Sequence, residues 1–146
     1  MKIVLGGDHG GWKMKEELKV WLREERHEVI DVGALKENLD DDYVDFAILV
    51  AEELKKDEEA WGVLFCRNGF GMVIAANRYK NVRCGFGFDE KAVARGRNDD
   101  DINCLAIPAD YVSLDQVKEI IKAFLETKFS GEERYQNRLE KLNLIK

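Results

Sequence analysis

Five short apolar runs alternate with segments of helical periodicity, and that alternation limits what this chain can become. The strand-length runs are Lys2 to Gly6, Glu28 to Val32, Ala60 to Cys66, Val82 to Phe86 and Ile102 to Ile107. Trp12 to Arg26 carries Trp12, Met14, Leu18, Val20, Trp21 and Leu22 at near-helical spacing. Asp42 to Lys56 repeats the pattern with Phe46, Ile48, Leu49, Val50 and Leu54. Shorter helices are expected over Phe70 to Tyr79 and from Asp89 to about Arg97. Ser113 to Phe129 opens on the capping box Ser113-Leu114-Asp115-Gln116, and Glu132 to Leu142 reads as a last helix. A helix between two strands returns the chain to its starting edge, so the strands run parallel. The expected fold is α/β: a Rossmann-like, five-stranded parallel sheet in flavodoxin-like order, with helices on both faces and a C-terminal helix. With no break in composition, residues 1–146 are expected to form a single domain.

Composition narrows the function. A net charge of −6 argues against general nucleic-acid binding. An anionic substrate would need a local basic cluster to overcome that field. No apolar run approaches the roughly 20 residues that span a bilayer, and the N-terminus enters a strand directly, so a cytoplasmic protein without membrane contact is expected. Three cysteines without a CxxC pair suggest neither a disulfide framework nor a zinc site. Cys84 and Cys104 fall in apolar strand-like runs and read as buried thiols.

Cys66 is different. It ends the third run and is followed by Arg67-Asn68-Gly69-Phe70-Gly71-Met72. A strand that turns through glycines into a helix points unpaired N–H groups at one spot, which favours negative charge. A thiol there, with Arg67 beside it, sits where a thiolate is stabilised. A plain tight turn with a small buried residue is the alternative. Ligands in open α/β sheets bind beyond the carboxyl ends of strands, where strand order reverses. In the flavodoxin-like order that point lies between strands one and three. Those strands end in Gly7-Asp8-His9-Gly10-Gly11 and in the Cys66 to Gly71 loop.

Three further groups stand out. Asp8-His9 can orient an imidazole or contact hydroxyls, or simply cap a helix. Arg134 and Arg138 share one helix face and can grip a phosphate, or pair with Glu133 and Glu140. Asn98-Asp99-Asp100-Asp101 has poor spacing for a metal cage, so no metal is expected; the run reads as a solvated loop or as supplying one acid, with Asp100 a candidate, to the substrate.

Taken together, Gly7-Asp8-His9-Gly10-Gly11, Asp42-Tyr43, Cys66-x-x-Gly-x-Gly-Met-x-Ile-Ala-Ala-Asn77-Arg78, Asn103-x-Leu-Ala, Gly131 and Arg134-x-x-x-Arg138 resemble the type B ribose-5-phosphate isomerase and galactose-6-phosphate isomerase family. The resemblance covers the whole chain and is most specific from Cys66 to Arg78. It implies an aldose–ketose isomerase of a sugar phosphate that uses no cofactor, assembled as a homodimer or tetramer with interface active sites. It implies that Cys66 is the base moving a proton between C1 and C2, and that Asn68, Gly69, Phe70, Gly71 and Met72 cradle the enediolate. It places His9, Arg134 and Arg138 on the phosphate, and Asp8 and Tyr43 along the sugar.

The chain departs from the family pattern at chemical positions. The family's Cys-Gly-Thr-Gly is Cys66-Arg67-Asn68-Gly69 here, so an amide replaces a hydroxyl and Arg67 joins the candidate substrate contacts. Aligned without gaps, Asp99 replaces the ring-opening histidine, and Val44 replaces a proline. An aspartate donates a proton near neutrality only if its pKa is raised, which a neighbouring acid such as Asp100 can do. A substrate that is already open-chain, such as a tetrose phosphate, fits that change. A non-catalytic sugar-phosphate-binding or partner subunit and a flavodoxin-like FMN binder are the other readings.

Overall fold

The computed structural model describes residues 1–145. The strands are β1 (Lys2–Gly7), β2 (Glu28–Asp31), β3 (Trp61–Cys66), β4 (Cys84–Phe86) and β5 (Cys104–Pro108). The helices are α1 (Trp12–Glu24), α2 (Tyr43–Lys56), α3 (Phe70–Ala76), α4 (Glu90–Asp100), α5 (Leu114–Glu126) and α6 (Glu133–Asn143). Every expected element is present, with ends displaced by a few residues. The Ser113 capping box forms: its hydroxyl accepts from Gln116 N–H, and the Gln116 side chain accepts from Ser113 N–H.

All strand pairs are parallel, in the order β2-β1-β3-β5-β4. The reversal between β1 and β3 is where the flavodoxin-like order places it. The last two strands exchange places relative to that order, 2-1-3-4-5. Their composition explains why. β5, Cys-Leu-Ala-Ile-Pro, is buried along its whole length, as a strand covered on both faces must be. β4 is three residues long and carries a glycine, which suits an edge.

Steps toward β2 and steps toward β4 must put their helices on opposite faces if every crossover is right-handed. α2 and α3 pack together on one face, while α1 and α4 both contact α5 on the other. Side chains alternate accordingly. Ile3, Leu5, Val63, Phe65, Leu105 and Ile107 meet Leu18, Leu22, Ile120 and Phe124. Val4, Leu64, Cys66 and Ala106 face Ala47, Val50, Met72 and Ala76. Each fully buried Leu, Ile or Phe contributes about 1.5–3 kcal/mol, so both faces fix the strand register, and with it the side on which Cys66 emerges. Among the described residues, no helix is long and apolar enough to cross a membrane.

Candidate active site

Cys66 is the last residue of β3, on the α2/α3 face, and 6% exposed. The chain then turns through Arg67 and Asn68 to Gly69, the N-cap of α3, at φ +78° and ψ −24°. That left-handed backbone is what glycine supplies without a side-chain penalty. It aims the Gly69 N–H at the Cys66 sulfur, 3.1 Å away. The Asn68 carboxamide oxygen accepts from Phe70 N–H at 3.1 Å, so this side chain braces the turn. Phe70 is exposed and stacks on Phe86 at 4.8 Å, while Met72 is buried beneath the loop.

Burial pushes the Cys66 thiol up; N–H groups of Gly69, Asn68 and Met72 pull it down, and the Asp8 carboxylate pushes it further up. The net direction is upward, against the expectation of a lowered thiol. Arg67 does not offset it. Its guanidinium is largely exposed and reaches toward Asp110 at 3.6 Å.

The β1 loop closes the other side. Asp8 is buried, and its Oδ1 accepts from Gly10 N–H at 3.0 Å and Gly11 N–H at 3.1 Å. It does not cap α1, whose N-cap is Gly11 without a side-chain bond. Gly11 crosses β3 so closely that a Cβ there would lie 2.4 Å from the Phe65 carbonyl carbon. Burial raises the Asp8 pKa, with partial relief from the Gly11 N–H. Tyr43, opening α2, lies against the loop: a Cβ on Gly71 would fall 2.6 Å from its ring. The sheet edge thus gathers Asp8, His9, Tyr43, Cys66, Arg67, Asn68, Gly69, Phe70, Gly71 and Met72.

One residue here was not read from the sequence. Asp41 Oδ1 accepts from His9 N–H at 3.0 Å and lies 2.7 Å from His9 Nδ1. Donor atoms of Asp8, His9 and Asp41 lie within 4.8 Å of one another, a set with divalent-cation chemistry. The available signal was the run Asp40-Asp41-Asp42 before α2, but only Asp42, the N-cap, was distinguishable there.

Asp99, Asp100, Arg134 and Arg138 form a second group at the opposite end of the sheet. α4 ends at Asp100, just before β5 begins, whereas Cys66 pairs with Pro108 at the far end of β5. Five residues at about 3.3 Å each separate the two levels by about 17 Å. Arg134 and Arg138 lie over the ring of buried Tyr135, at 4.4 and 5.3 Å. The Asp99 carboxyl is not raised in the way that proton donation near neutrality calls for. A hydrogen bond from Asn98 holds its carboxyl below the ordinary value, with help from Tyr135, Arg95 and Arg134. Donors and cations surround it, so the charged form is favoured.

Comparison with known proteins follows the same lines. A sequence model of the Ribose/Galactose Isomerase family matches residues 3–142. A putative sugar phosphate isomerase of Bacillus subtilis, YwlF, is 35% identical over 143 residues, covering 98% of this chain and 95% of that protein. The ribose 5-phosphate isomerase RpiB of Thermotoga maritima superposes with a TM-score of 0.94 at 31% identity, over 99% of this chain and 98% of that one. Ribose-5-phosphate isomerase B of Mycoplasma genitalium, solved with bound ribulose-5-phosphate, superposes with a TM-score of 0.93 at 33% identity, over 97% and 93% of the two chains.

Proposed function

This chain belongs to the Ribose/Galactose Isomerase family, and on that premise we propose that it interconverts the aldose and ketose forms of a small sugar phosphate, with Cys66 as the base. Relatives named ribose-5-phosphate isomerase B, one of them holding ribulose-5-phosphate, support the reaction class. The observation that carries the cysteine's role is the Cys66 sulfur held 3.1 Å from Gly69 N–H at a helix entry, beside buried Asp8.

The chemistry follows from that placement. A C–H bond next to a carbonyl is a weak acid. Breaking it takes a base facing the carbon and fixed donors for the oxyanion that forms. Cys66 is the base. N–H groups of the Asn68 to Met72 loop are preorganised for negative charge, first on the thiolate and then on the enediolate oxygen. The upward push on the thiol makes the thiolate a stronger base and a scarcer one at neutral pH. Asp8 and Tyr43 line the sugar.

The phosphate falls to Arg134 and Arg138 of a second copy. Within one chain they lie a strand's length from Cys66, too far for one small sugar phosphate to touch both groups. A two-fold assembly brings one chain's α6 to the other chain's sulfur.

Incubation with four- to six-carbon aldose and ketose phosphates in heavy water tests this reading. Conversion with solvent deuterium entering at C1 or C2, lost in Cys66→Ala, is expected. Conversion that survives in Cys66→Ala would remove the sulfur from the mechanism.

A further inference from the structure

We propose that Cys84 and Cys104 form a redox-active dithiol that a hydroperoxide closes to a disulfide, and that the closure reaches the Cys66 loop through α3. The dithiol stands apart from the proposed isomerisation; only its effect on turnover rests on that reading.

The chain holds three cysteines, and all are free. Two of them are neighbours across the sheet. Cys84 opens β4, Cys104 opens β5, and the two are register partners in parallel strands. Register partners present their side chains on one face of a sheet. Here that is the α2/α3 face, where both thiols belong to one buried cluster. Adjacent strands lie about 4.7–4.9 Å apart, inside the Cα separation of about 4.4–6.8 Å that a disulfide spans. Cys66 is excluded from this pairing. It is level with Pro108, four residues further along β5 than Cys104, and the resulting gap of about 13 Å is too wide to bridge.

The row across the sheet reads Gly62, Cys104, Cys84. A Cβ on Gly62 would lie 2.8 Å from the Cys104 sulfur, so β3 keeps a glycine where that sulfur packs. Cys104 is fully buried, whereas Cys84 is 8% exposed. Cys84 lines a surface cavity of about 680 Å³ together with Asn77, Arg83 and Ile102. A small oxidant therefore meets Cys84 first. The neighbouring Cys84 sulfur, and then burial, push the Cys104 thiol well above its ordinary value. Cys104 keeps its proton at neutral pH and serves as the resolving thiol.

The chemistry balances with the hydroperoxide as sole oxidant. The Cys84 thiolate attacks one peroxide oxygen. The O–O bond breaks, a sulfenic acid forms on Cys84, and the other oxygen leaves as an alcohol, or as water from hydrogen peroxide, carrying the proton that Cys84 lost. The Cys104 sulfur then attacks the Cys84 sulfur. An S–S bond forms as the S–O bond breaks, and the departing hydroxide takes the Cys104 proton as water. Two thiols lose two electrons, and the O–O bond accepts them. An added thiol reverses the closure by exchange.

β4 is tied to α3 at both ends. The Asn77 carboxamide, at the C-cap of α3, accepts from Cys84 N–H at 2.8 Å and donates to the Cys84 carbonyl at 2.9 Å and the Val73 carbonyl at 3.0 Å. Phe86, last in β4, stacks at 4.8 Å on Phe70, first in α3. A disulfide holds its Cβ atoms about 3.5–4.5 Å apart, closer than the strands themselves, so closure draws Cys84 toward β5. α3 follows, and with it Gly69, whose N–H lies 3.1 Å from the Cys66 sulfur.

The reduced full-length protein, exposed folded to excess hydrogen peroxide, then alkylated in denaturant and digested, tests the dithiol. A Cys84–Cys104 linked peptide is expected, with two hydrogens lost per chain and restored by dithiothreitol, and with Cys66 recovered unlinked. Absence of that peptide, or a link from either thiol to Cys66, overturns the proposal. Amide NMR tests the coupling without any substrate. The Gly69 and Phe70 resonances should move on oxidation of the wild type and stay in place in Cys84→Ala and Cys104→Ala, which cannot close the bond. Turnover of sugar phosphate should fall about tenfold or more in the oxidised wild type, as a displaced anion-stabilising donor would give. It should recover with dithiothreitol and fall less in either variant. Unmoved resonances in the linked protein, or equal losses of turnover in wild type and variants, overturn the coupling to the Cys66 loop. A wild type that converts no sugar phosphate removes the isomerase reading alone, and the linked peptide and the Gly69 resonance still decide this proposal.

Discussion

Gly69 donates its backbone N–H to the Cys66 sulfur across 3.1 Å, and it reaches that position from φ +78°. Any other residue there carries a Cβ 2.7 Å from Phe86 Cε2, in a region where a side chain costs about 1–2 kcal/mol. Gly69→Ala should therefore lower the melting temperature and displace the Phe86 ring from its stack with Phe70. If the N–H moves off the sulfur, the rate should fall by about 10²–10³, the usual effect of losing one anion-stabilising donor. Thermal melts and initial rates on the same preparation check both parts. An unaltered rate would show that this N–H stabilises neither the thiolate nor the enediolate.

The Cys66 thiol is pushed up by burial and then by Asp8, against the N–H groups of the loop. The thiolate fraction therefore rises at a higher pH than for an ordinary exposed cysteine. Alkylation of Cys66, followed by mass spectrometry, should be slow at neutral pH and accelerate into the alkaline range. Asp8→Asn removes the nearest negative charge while keeping an oxygen for the Gly10 and Gly11 N–H groups. The Cys66 pKa should then fall, moving the alkylation profile toward lower pH. A shift in the other direction would mean that Asp8 acts on the sulfur through something other than its charge.

Much of this was legible in the sequence because period and punctuation are local properties. The apolar runs gave the strands, and Gly69 and Gly71 marked the turn that follows Cys66. The exchange of β4 and β5 was harder to read, since it depends on which run is long and apolar enough to be covered on both faces. Cys84 to Phe86 lost the central place to Cys104 to Pro108. Side-chain direction was not legible at all. Arg67 adjoins Cys66 in sequence, yet its guanidinium lies toward Asp110. The neighbours of Asp99 were not legible either: Asn98 and the Tyr135 and Arg134 side chains of α6 hold its carboxyl down. Asp41 found His9 across 32 positions, a pairing that no local pattern encodes.

A buried ion cluster next to β2 gives a stability prediction. Lys15 is fully buried, and its Nζ lies 2.6 Å from both Asp31 Oδ2 and Glu16 Oε1. Burial raises the Asp31 carboxyl, but hydrogen bonds from Lys15 and Lys19 outweigh it and hold Asp31 below its ordinary value. A carboxyl depressed in the folded state stabilises above its unfolded pKa, about 3.9, and that contribution is lost as pH falls through the folded value. Asp31→Ala leaves the Lys15 ammonium buried without its main partner and should cost about 3–5 kcal/mol at neutral pH. The deficit relative to wild type should shrink as pH drops below about 4. Denaturant titrations at several pH values measure it, and a deficit that grows in acid would refute the assignment.

The separation of Cys66 from Arg134 and Arg138 predicts complementation. Cys66 lies level with Pro108, and α6 packs against α4, which ends before β5 begins. If each site takes its sulfur from one copy and its arginines from another, Cys66→Ala and an Arg134→Ala, Arg138→Ala double variant damage different halves. Each preparation alone should be nearly inactive. Unfolded and refolded together, half of the resulting dimers are mixed, and each mixed dimer holds one intact site and one doubly damaged site. Activity should then recover to about a quarter of wild type for a two-fold assembly. Recovery should depend on subunit exchange, appearing after co-refolding and remaining absent on brief mixing of folded preparations. Co-refolded samples that remain inactive, although mixed dimers are present by mass, would show that no site combines the sulfur of one copy with the arginines of another.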